Sequence, residues 1–227
     1  MFKSTVNKLN ASLNDSTVSS REEGLKNLKN GYLALAMTFV TTMVGYFCGL
    51  LFLPQIVQAM SGILGAILFL GVGILFIVLI EKNKHSKAGL FFLLAFGLVE
   101  GIMLTPIVAL SASSSVIGAL IGTAVLALGT SYVAITNKVD SSNWGKYLFF
   151  TLIALLVGMV VNWFIAASAL QLLISSGIIL VMAGFMIYDT QNAIKNPRSS
   201  YIAVALGFYL NIINMFINFL AILGLED

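Results

Sequence analysis

The feature that most constrains this chain is a succession of seven apolar runs, each about as long as a membrane-spanning helix. They cover residues 31–53, 57–80, 88–110, 115–135, 147–166, 169–194 and 201–224. A helix of about 20 apolar residues rises through the roughly 30 Å hydrocarbon core of a bilayer. With 59% hydrophobic and 9% charged residues, the chain also lacks the polar surface of a water-soluble domain. We therefore predict an all-α, polytopic membrane protein, with residues 30–227 forming a bundle of seven transmembrane helices.

The basic residues indicate which way the chain crosses the membrane. The segments after the first, third and fifth runs carry no Lys or Arg. All twelve lie in the amino-terminal segment or after the second, fourth and sixth runs: Lys3, Lys8, Arg21, Lys26, Lys29, Lys82, Lys84, Lys87, Lys138, Lys146, Lys195 and Arg198. The positive-inside rule makes that side cytoplasmic. It predicts a cytoplasmic amino terminus and, after seven crossings, a carboxyl terminus on the outer side.

Residues 1–29 form a polar amino-terminal segment without the continuous apolar core of a cleavable signal peptide. We predict that they are a cytoplasmic tail. Ser20 and Glu23 have the spacing of a capping box, which predicts a short helix through Leu25 and Leu28 at the membrane surface. A disordered tail with chance spacing is the alternative.

Residues that carry enzymatic or metal chemistry are scarce in this sequence. Cys48 is the single cysteine, so neither an intrachain disulfide nor a thiolate metal site is expected. The single histidine, His85, lies in a polar loop, whereas a rhomboid-like serine enzyme needs one in the membrane. Phosphate-loop and nucleophile-elbow patterns are absent, as is a basic stripe with interleaved aromatics. We expect no enzyme, no cofactor, no metal site and no nucleic-acid partner.

Two carboxylates lie inside the apolar runs, Glu100 in the third and Asp189 in the sixth. An ionised acid at a helix centre costs about 2.5 to 3.5 kcal/mol, so each should be protonated, paired or facing water. Both are candidate site residues. A plainer interpretation of Glu100 is a neutral acid that is hydrogen-bonded to a neighbouring helix. For Asp189 it is an acid that reaches the inner face or pairs with Lys195 or Arg198.

The last two runs form a predicted antiparallel hairpin that brings Asp189 close to an amide. Asp189 lies eight residues before Pro197, and Asn211 lies eleven after Ser200. These separations correspond to roughly 12 Å and 16 Å of helix. The two side chains should therefore face each other in nearly the same layer of the membrane.

Asparagines mark one face of the last run, which predicts that its helix is buried among the others. Asn211, Asn214 and Asn218 are spaced by three and four residues, and such a face is costly toward lipid. Asn162 and Trp163 in the fifth run are candidates for the same interior. Helix packing is also predicted at three pairs of small residues: Gly45 and Gly49, Gly62 and Ala66, and Gly118 and Gly122.

At these residues the chain resembles the Bax inhibitor-1 family, specifically its bacterial, YccA-like branch. The likeness covers roughly residue 25 to the end. It rests on the stretches 25–32 (LKNLKNGY), 101–107 (GIMLTPI), 158–162 (GMVVN), 184–190 (GFMIYDT) and 206–224.

The resemblance implies a compact bundle in the bacterial inner membrane, with six helices around the seventh and a periplasmic carboxyl terminus. In the calcium-leak branch of the family, an aspartate pair on the last two helices shares a proton and gates a cation path. Asp189 matches the first aspartate, whereas Asn211 stands where the second is expected. An amide supplies a ligand oxygen without a second charge, so calcium should be held less well and pH gating should be blunted. We hypothesise that Glu100 replaces the missing acid if its helix touches that of Asp189, with Asn214 beside the same path.

Two functions follow from the resemblance, and they are not exclusive. The first is a binding partner and modulator of a membrane-anchored AAA protease of the FtsH type and its prohibitin-like partners, engaged through the tail 1–29. The alternative is a pH-sensitive leak for Ca²⁺ or H⁺, gated by Asp189.

Overall fold

A computed structural model describes the backbone of residues 2–136, 139–196 and 198–225, and side chains from residue 18 onward except those of residues 63 and 66. Within these ranges every regular element is an α-helix. The helices are α1 Phe2–Leu50, α2 Leu53–Met60, α3 Gly62–Asn83, α4 Lys87–Ala109, α5 Ser113–Ile135, α6 Trp144–Ile165, α7 Ser168–Lys195 and α8 Tyr201–Leu223. The predicted all-α class is confirmed. Lys138 and Pro197 lie outside the described residues.

Six helices in the described part of the chain are long and apolar enough to cross a membrane. They are the 18–50 portion of α1, then α4, α5, α6, α7 and α8. The remaining predicted span corresponds to α3, a helix of 22 residues. For the last five runs, the predicted ends lie within three residues of the observed helix ends.

The polar connections that carry basic residues meet at one end of the bundle, which we call the basic end. Ser200, which caps α8, donates a hydrogen bond to the carbonyl of Lys84 just after α3. Lys195, at the end of α7, contacts Asp140 between α5 and α6 at 3.2 Å. Segments that are far apart in sequence therefore share one end, as the one-sided charge pattern predicts. The connections at 110–112 and 166–167 lie at the far end.

The first helix runs without a break through the boundary at residue 29, where sequence analysis ended the tail. The expected capping box is wrong, because Ser20 and Glu23 lie inside α1 and not at its start. A side chain at Gly24 would place its Cβ 2.1 Å from the carbonyl oxygen of Ile194. The stretch expected to lie on the membrane surface therefore packs against α7, and this contact explains its helical order better than a local cap does.

Glycines allow α1 and α4 to approach closely. A Cβ on Gly45 would lie 2.0 Å from the Leu98 carbonyl oxygen, and one on Gly101 would lie 2.0 Å from the Thr42 carbonyl oxygen. Neither position tolerates even a methyl group without separating the two backbones. The close approach expected of small residues in membrane helices is therefore present here.

The other two small-residue pairs behave differently from each other. A Cβ on Gly122 would lie 3.2 Å from the ring of Phe219, and Gly118 is likewise close to α8, as the prediction of helix packing requires. Gly62 has open space around it and a φ of 75°, so it turns the chain between α2 and α3. The packing role predicted for Gly62 is wrong, because the long helix of the second run begins at this turn and not at residue 57. The side chain of its predicted partner Ala66 lies outside the described residues.

The last helix has the most buried positions of the described spans. α8 packs against α1, α3, α4, α5 and α7, and the side chains of Phe208, Tyr209 and Met215 are fully buried. In contrast, α6 packs on α7 and Asn162 is its one buried residue. The asparagine face of α8 thus lies among other helices, as its polarity predicts.

Candidate functional site

The centre of the candidate site is a carboxylate on α7 that is held by an amide on α8. Asn211 donates a hydrogen bond of 2.8 Å from its Nδ2 to Oδ2 of Asp189. Asn211 is buried and Asp189 is half-buried. The structure therefore brings together the two residues that the hairpin register predicts, and the amide presents its donor group, not its oxygen, to the acid.

Gly207 makes room for this carboxylate. It precedes Asn211 by one helical turn on α8, and a Cβ there would lie 3.1 Å from Oδ2 of Asp189. That distance is shorter than an ordinary van der Waals contact, so an alanine would force the acid to move. The carboxylate thus sits against the α8 backbone, with Asn211 beside it.

The basic residues near the end of α7 do not neutralise Asp189. Lys195 bonds to Oδ1 of Asp140 at 3.2 Å and to Oγ of Ser142 at 2.8 Å. The ion pairs in the described part of the chain are Lys195 with Asp140 and Lys84 with Glu81. The alternative in which Asp189 pairs with Lys195 or Arg198 is therefore wrong, since Lys195 pairs with Asp140 and no ion pair among the described residues joins Asp189 to Arg198.

Glu100 lies on a different helix from Asp189. It is on α4, half-buried and within electrostatic range of the phenol of Tyr209 on α8. The hydroxyl of Thr42 lies 3.0 Å from that of Tyr209 and donates its single proton to the carbonyl of Thr38. Tyr209 must therefore donate to Thr42, and the two hydroxyls link α8 to α1.

The depth of Glu100 differs from that of Asp189. Helix rise places Glu100 about 20 Å from the start of α4 and Asp189 about 9 Å from the end of α7, both counted from the basic end. Moreover, α4 packs against α1, α2, α3 and α8, whereas Asp189 is bonded to α8. These positions weigh against direct sharing of a proton by the two acids, which stays a hypothesis to be tested by the separation of their carboxyl groups.

The other asparagines of α8 are bonded within their own helix. Asn214 donates to the carbonyl of Leu210 at 2.7 Å, and Asn218 donates to that of Asn214 at 2.8 Å. Asn218 is buried and Asn214 is half-buried. Each keeps its amide oxygen for another contact, so Asn214 remains a candidate for the predicted ion path.

Asn162 and Trp163 lie near the far end, away from Asp189. Asn162 is buried and donates to Gln171 at 3.1 Å, and Gln171 donates to Ser175 at 3.3 Å. Both Asn162 and Trp163 line a cleft of about 410 Å³ beside the α6–α7 connection. Trp163 is 57% exposed, so its predicted place in the interior is wrong.

Gln191, which the sequence did not single out, holds the α5–α6 connection over the end of α7 by hydrogen bonds. Buried Gln191 accepts from the backbone N–H of Ser141 at 3.1 Å and from its hydroxyl at 2.8 Å. Its amide donates to the carbonyl of Val139 at 2.5 Å. Hydrogen bonds from Ser142 and then the nearby Lys195 lower the pKa of Asp140 to about 2. The one sequence signal for the role of Gln191 in holding this connection is its position two residues after Asp189.

These features define a class: a polytopic helical membrane protein with an interior carboxylate that an amide holds against its last helix. The model for inhibitors of apoptosis-promoting Bax1 matches residues 25–227. The chain belongs to this family, the Bax inhibitor-1 family, which confirms the resemblance. Within the described residues, no three His, Cys, Asp or Glu side chains are grouped to hold a metal ion.

Relatives of this chain are found in bacteria and in a virus. A membrane protein of Vibrio cholerae is 34% identical over 208 residues, which cover 89% of this chain and 90% of the relative. The modulator of FtsH protease YccA from Escherichia coli is 28% identical over 206 residues, with 88% and 90% covered. The Golgi anti-apoptotic protein of vaccinia virus is 27% identical over 198 residues, with 87% and 83% covered. A further Escherichia coli YccA is named an inner membrane protein.

Proposed function

We propose that this protein is a binding partner and modulator of a membrane-anchored AAA protease of the FtsH type. The observation that carries the proposal is the similarity to the Escherichia coli FtsH modulator, which extends over 88% of this chain and 90% of that protein. It covers the bundle as a whole and not an isolated motif. The Bax inhibitor-1 family is not a known family of enzymes. This sequence lacks the catalytic patterns of an enzyme, and a modulator does not need them.

The proposed topology places the start of α1 where such a protease acts. We propose seven spans, including α3, with α8 at the centre and the basic end in the cytoplasm. The positions of two helix ends support α3 as a span. α1 ends at the far end, where Gly49 contacts Thr105. α3 ends at the basic end, where Lys84 contacts Ser200. Its 22 residues rise about 33 Å, enough for one crossing. The inner membrane is the proposed location, with the carboxyl terminus periplasmic.

We propose the amino-terminal part of α1 as the segment that the protease engages. α1 begins at Phe2, about 33 Å of helix before the contact of Gly24 with Ile194. A bundle packed around α8 would resist extraction, so a protease that takes hold of this segment would be occupied without degrading the protein. A prohibitin-like complex that accompanies the protease is a second proposed partner.

Deletion of residues 2–17 tests this proposal and leaves the contact of Gly24 with Ile194 in place. The purified protein and the deletion variant are added separately to a reconstituted FtsH-type protease degrading a labelled membrane substrate. We expect the full chain to slow degradation and the deletion variant to lose this effect while keeping its melting temperature. The variant Lys87→Ala, which removes a basic residue from the same end, should still inhibit. Full inhibition by the deletion variant would refute the role of this segment.

A second candidate is a slow, pH-sensitive leak for cations or protons, with Asp189 as its gate. The observation that favours it is the half-buried carboxylate held by Asn211 and Gly207 without a basic partner in the described residues. In a membrane protein, an interior acid that is not neutralised is by default a candidate for a functional role. Glu100 and Asn214 are proposed to line the same path.

Flux through liposomes tests the leak. Vesicles that contain a calcium- or pH-sensitive dye are compared with vesicles carrying Asp189→Asn, which keeps the shape and removes the charge. We expect the substitution to abolish a pH-dependent flux, whereas Asp140→Asn, the same change at an exposed acid, should leave the flux intact. Equal flux for the wild type and Asp189→Asn across the pH range would eliminate this function.

A further inference from the structure

A cleft at the basic end, distinct from the Asp189 site, combines cationic and apolar walls. It has a volume of about 190 Å³ and lies between α1, α5 and α7. Ser20 and Arg21 line it from α1, Ala134 and Ile135 from α5, and Ile194 and Lys195 from α7. The contact of Gly24 with Ile194 fixes α1 against α7 one turn beyond Arg21, which holds the two basic residues on the same cleft.

Both basic side chains have hydrogen-bond donors left for an anion. Lys195 uses two of its three N–H donors, one on Asp140 and one on Ser142. Arg21 is exposed and forms no ion pair with another described residue. Its planar guanidinium offers paired donors that match two oxygens of a phosphate. The Lys195–Asp140 contact is largely exposed, so it competes only weakly with a bound anion.

The apolar wall of the cleft continues along the outside of α5. Ile135, 41% exposed, is the first of a series of exposed apolar side chains that continues with Tyr132, Leu128, Val125 and Ile121. Their spacing of three and four residues places them on one helical face. This face leads from the cleft at the end of the apolar run toward the membrane centre, which is the course of an acyl chain whose headgroup lies at the basic end.

We propose that this cleft binds an anionic phospholipid, with the phosphate between Arg21 and Lys195 and an acyl chain along the exposed face of α5. Basic pockets between membrane helices on the cytoplasmic side are suited to such headgroups. The same phosphate chemistry would also accept free inorganic phosphate, but only a lipid uses the apolar face. The proposal goes beyond both proposed functions, and neither depends on it.

Lipid retention by the purified protein tests the proposal. The protein is equilibrated with phosphatidylglycerol or with phosphatidylcholine of the same acyl chains, and bound lipid is counted by native mass spectrometry. We expect selective retention of phosphatidylglycerol and a loss of about fivefold in affinity for Arg21→Ala, with a larger loss for Arg21→Glu. Lys87→Ala, an exposed basic residue outside the cleft, should retain the lipid as the wild type does. Melting curves in detergent confirm that the variants are folded.

Three results would overturn the proposal. Equal retention of the two lipids would show that the cleft does not select for charge. An equal loss of affinity for phosphatidylglycerol in Lys87→Ala would show that the lipid is attracted to the basic end as a whole and not to the cleft. Displacement of phosphatidylglycerol by excess inorganic phosphate, with no dependence on an Ile135→Asn change in the apolar wall, would assign the cleft to free phosphate and not to lipid.

Discussion

Asn211 of α8 donates its amide proton to the carboxylate of Asp189 on α7 at 2.8 Å, across the hairpin that ends the bundle. The amide satisfies one carboxylate oxygen without bringing a second acid into the interior. It follows that the site holds at most one negative charge at this level. An aspartate in place of Asn211 would create two acids that compete for a proton.

Substitution of Asn211 by leucine should destabilise the protein more than the same change at Asn214. Asn211→Leu leaves the Asp189 oxygen without its donor, and an unsatisfied buried polar atom costs about 1–3 kcal/mol. Asn214 donates only to the carbonyl of Leu210 in its own helix, whose backbone bond remains. Denaturant titrations in detergent should show a clear drop in the free energy of unfolding for the first variant alone. Equal drops would show that the amide of Asn211 has no special part in holding the acid.

Gly207→Ala should disturb the site without removing a polar group. The added methyl would lie 3.1 Å from Oδ2 of Asp189, so the carboxylate must shift by a few tenths of an ångström. We expect a lower melting temperature and altered flux in the liposome assay. Gly129→Ala is the matched control, because a Cβ there meets nothing within 4 Å and alanine favours the helix.

A double-mutant cycle separates contact with the acid from a general effect of Gly207→Ala on helix packing. In the Asp189→Ala background, the methyl at residue 207 no longer meets a carboxylate. The cost of Gly207→Ala in melting temperature should therefore become smaller in that background. A cost that is unchanged when Asp189 is alanine would place the strain elsewhere.

The pairing of Asp189 with Asn211 could be predicted because helix rise alone fixes depth. Two antiparallel helices joined by a short turn bring residues at similar distances from that turn to the same level. Depth along a helix does not fix which helices are neighbours. The hypothesis on Glu100 depended on contact between its helix and that of Asp189, and α4 packs against α1, α2, α3 and α8.

The elements that sequence reasoning missed depend on contacts between distant segments. Gly207 belongs to none of the small-residue pairs in the sequence, and only its contact with Asp189 distinguishes it. Gln191 stands near the end of an apolar run, but its partners Ser141 and Val139 are about 50 residues away. The continuity of α1 follows from its contact with α7, which a local capping pattern cannot reveal.

Gln191→Leu should release the α5–α6 connection from the end of α7. The substitution leaves the N–H and hydroxyl of Ser141 and the carbonyl of Val139 without the partner that Gln191 supplies. Backbone hydrogen–deuterium exchange should therefore rise in residues 139–143 of the connection. Asn192→Leu, at the exposed neighbouring position, is the control and should leave exchange unchanged. Unchanged exchange in both variants would mean that other contacts hold the connection.

The same connection gives a pH dependence whose sign follows from Asp140. Hydrogen bonds from Ser142 and the nearby Lys195 lower the pKa of Asp140 from its ordinary value of 3.8 to about 2. A carboxylate with a depressed pKa contributes stability that is fully present above its ordinary pKa and is lost as the pH falls through the folded value. The melting temperatures of the wild type and Asp140→Asn should therefore differ by a small, constant amount above about pH 5, and the difference should shrink on acidification and be lost below about pH 2. Glu81→Gln is the control, because its pair with Lys84 lies within three residues of sequence and joins no two distant helices. A wild-type advantage that grows on acidification would contradict this assignment, since protonation of Asp140 can only remove the contact that Lys195 makes with its charge.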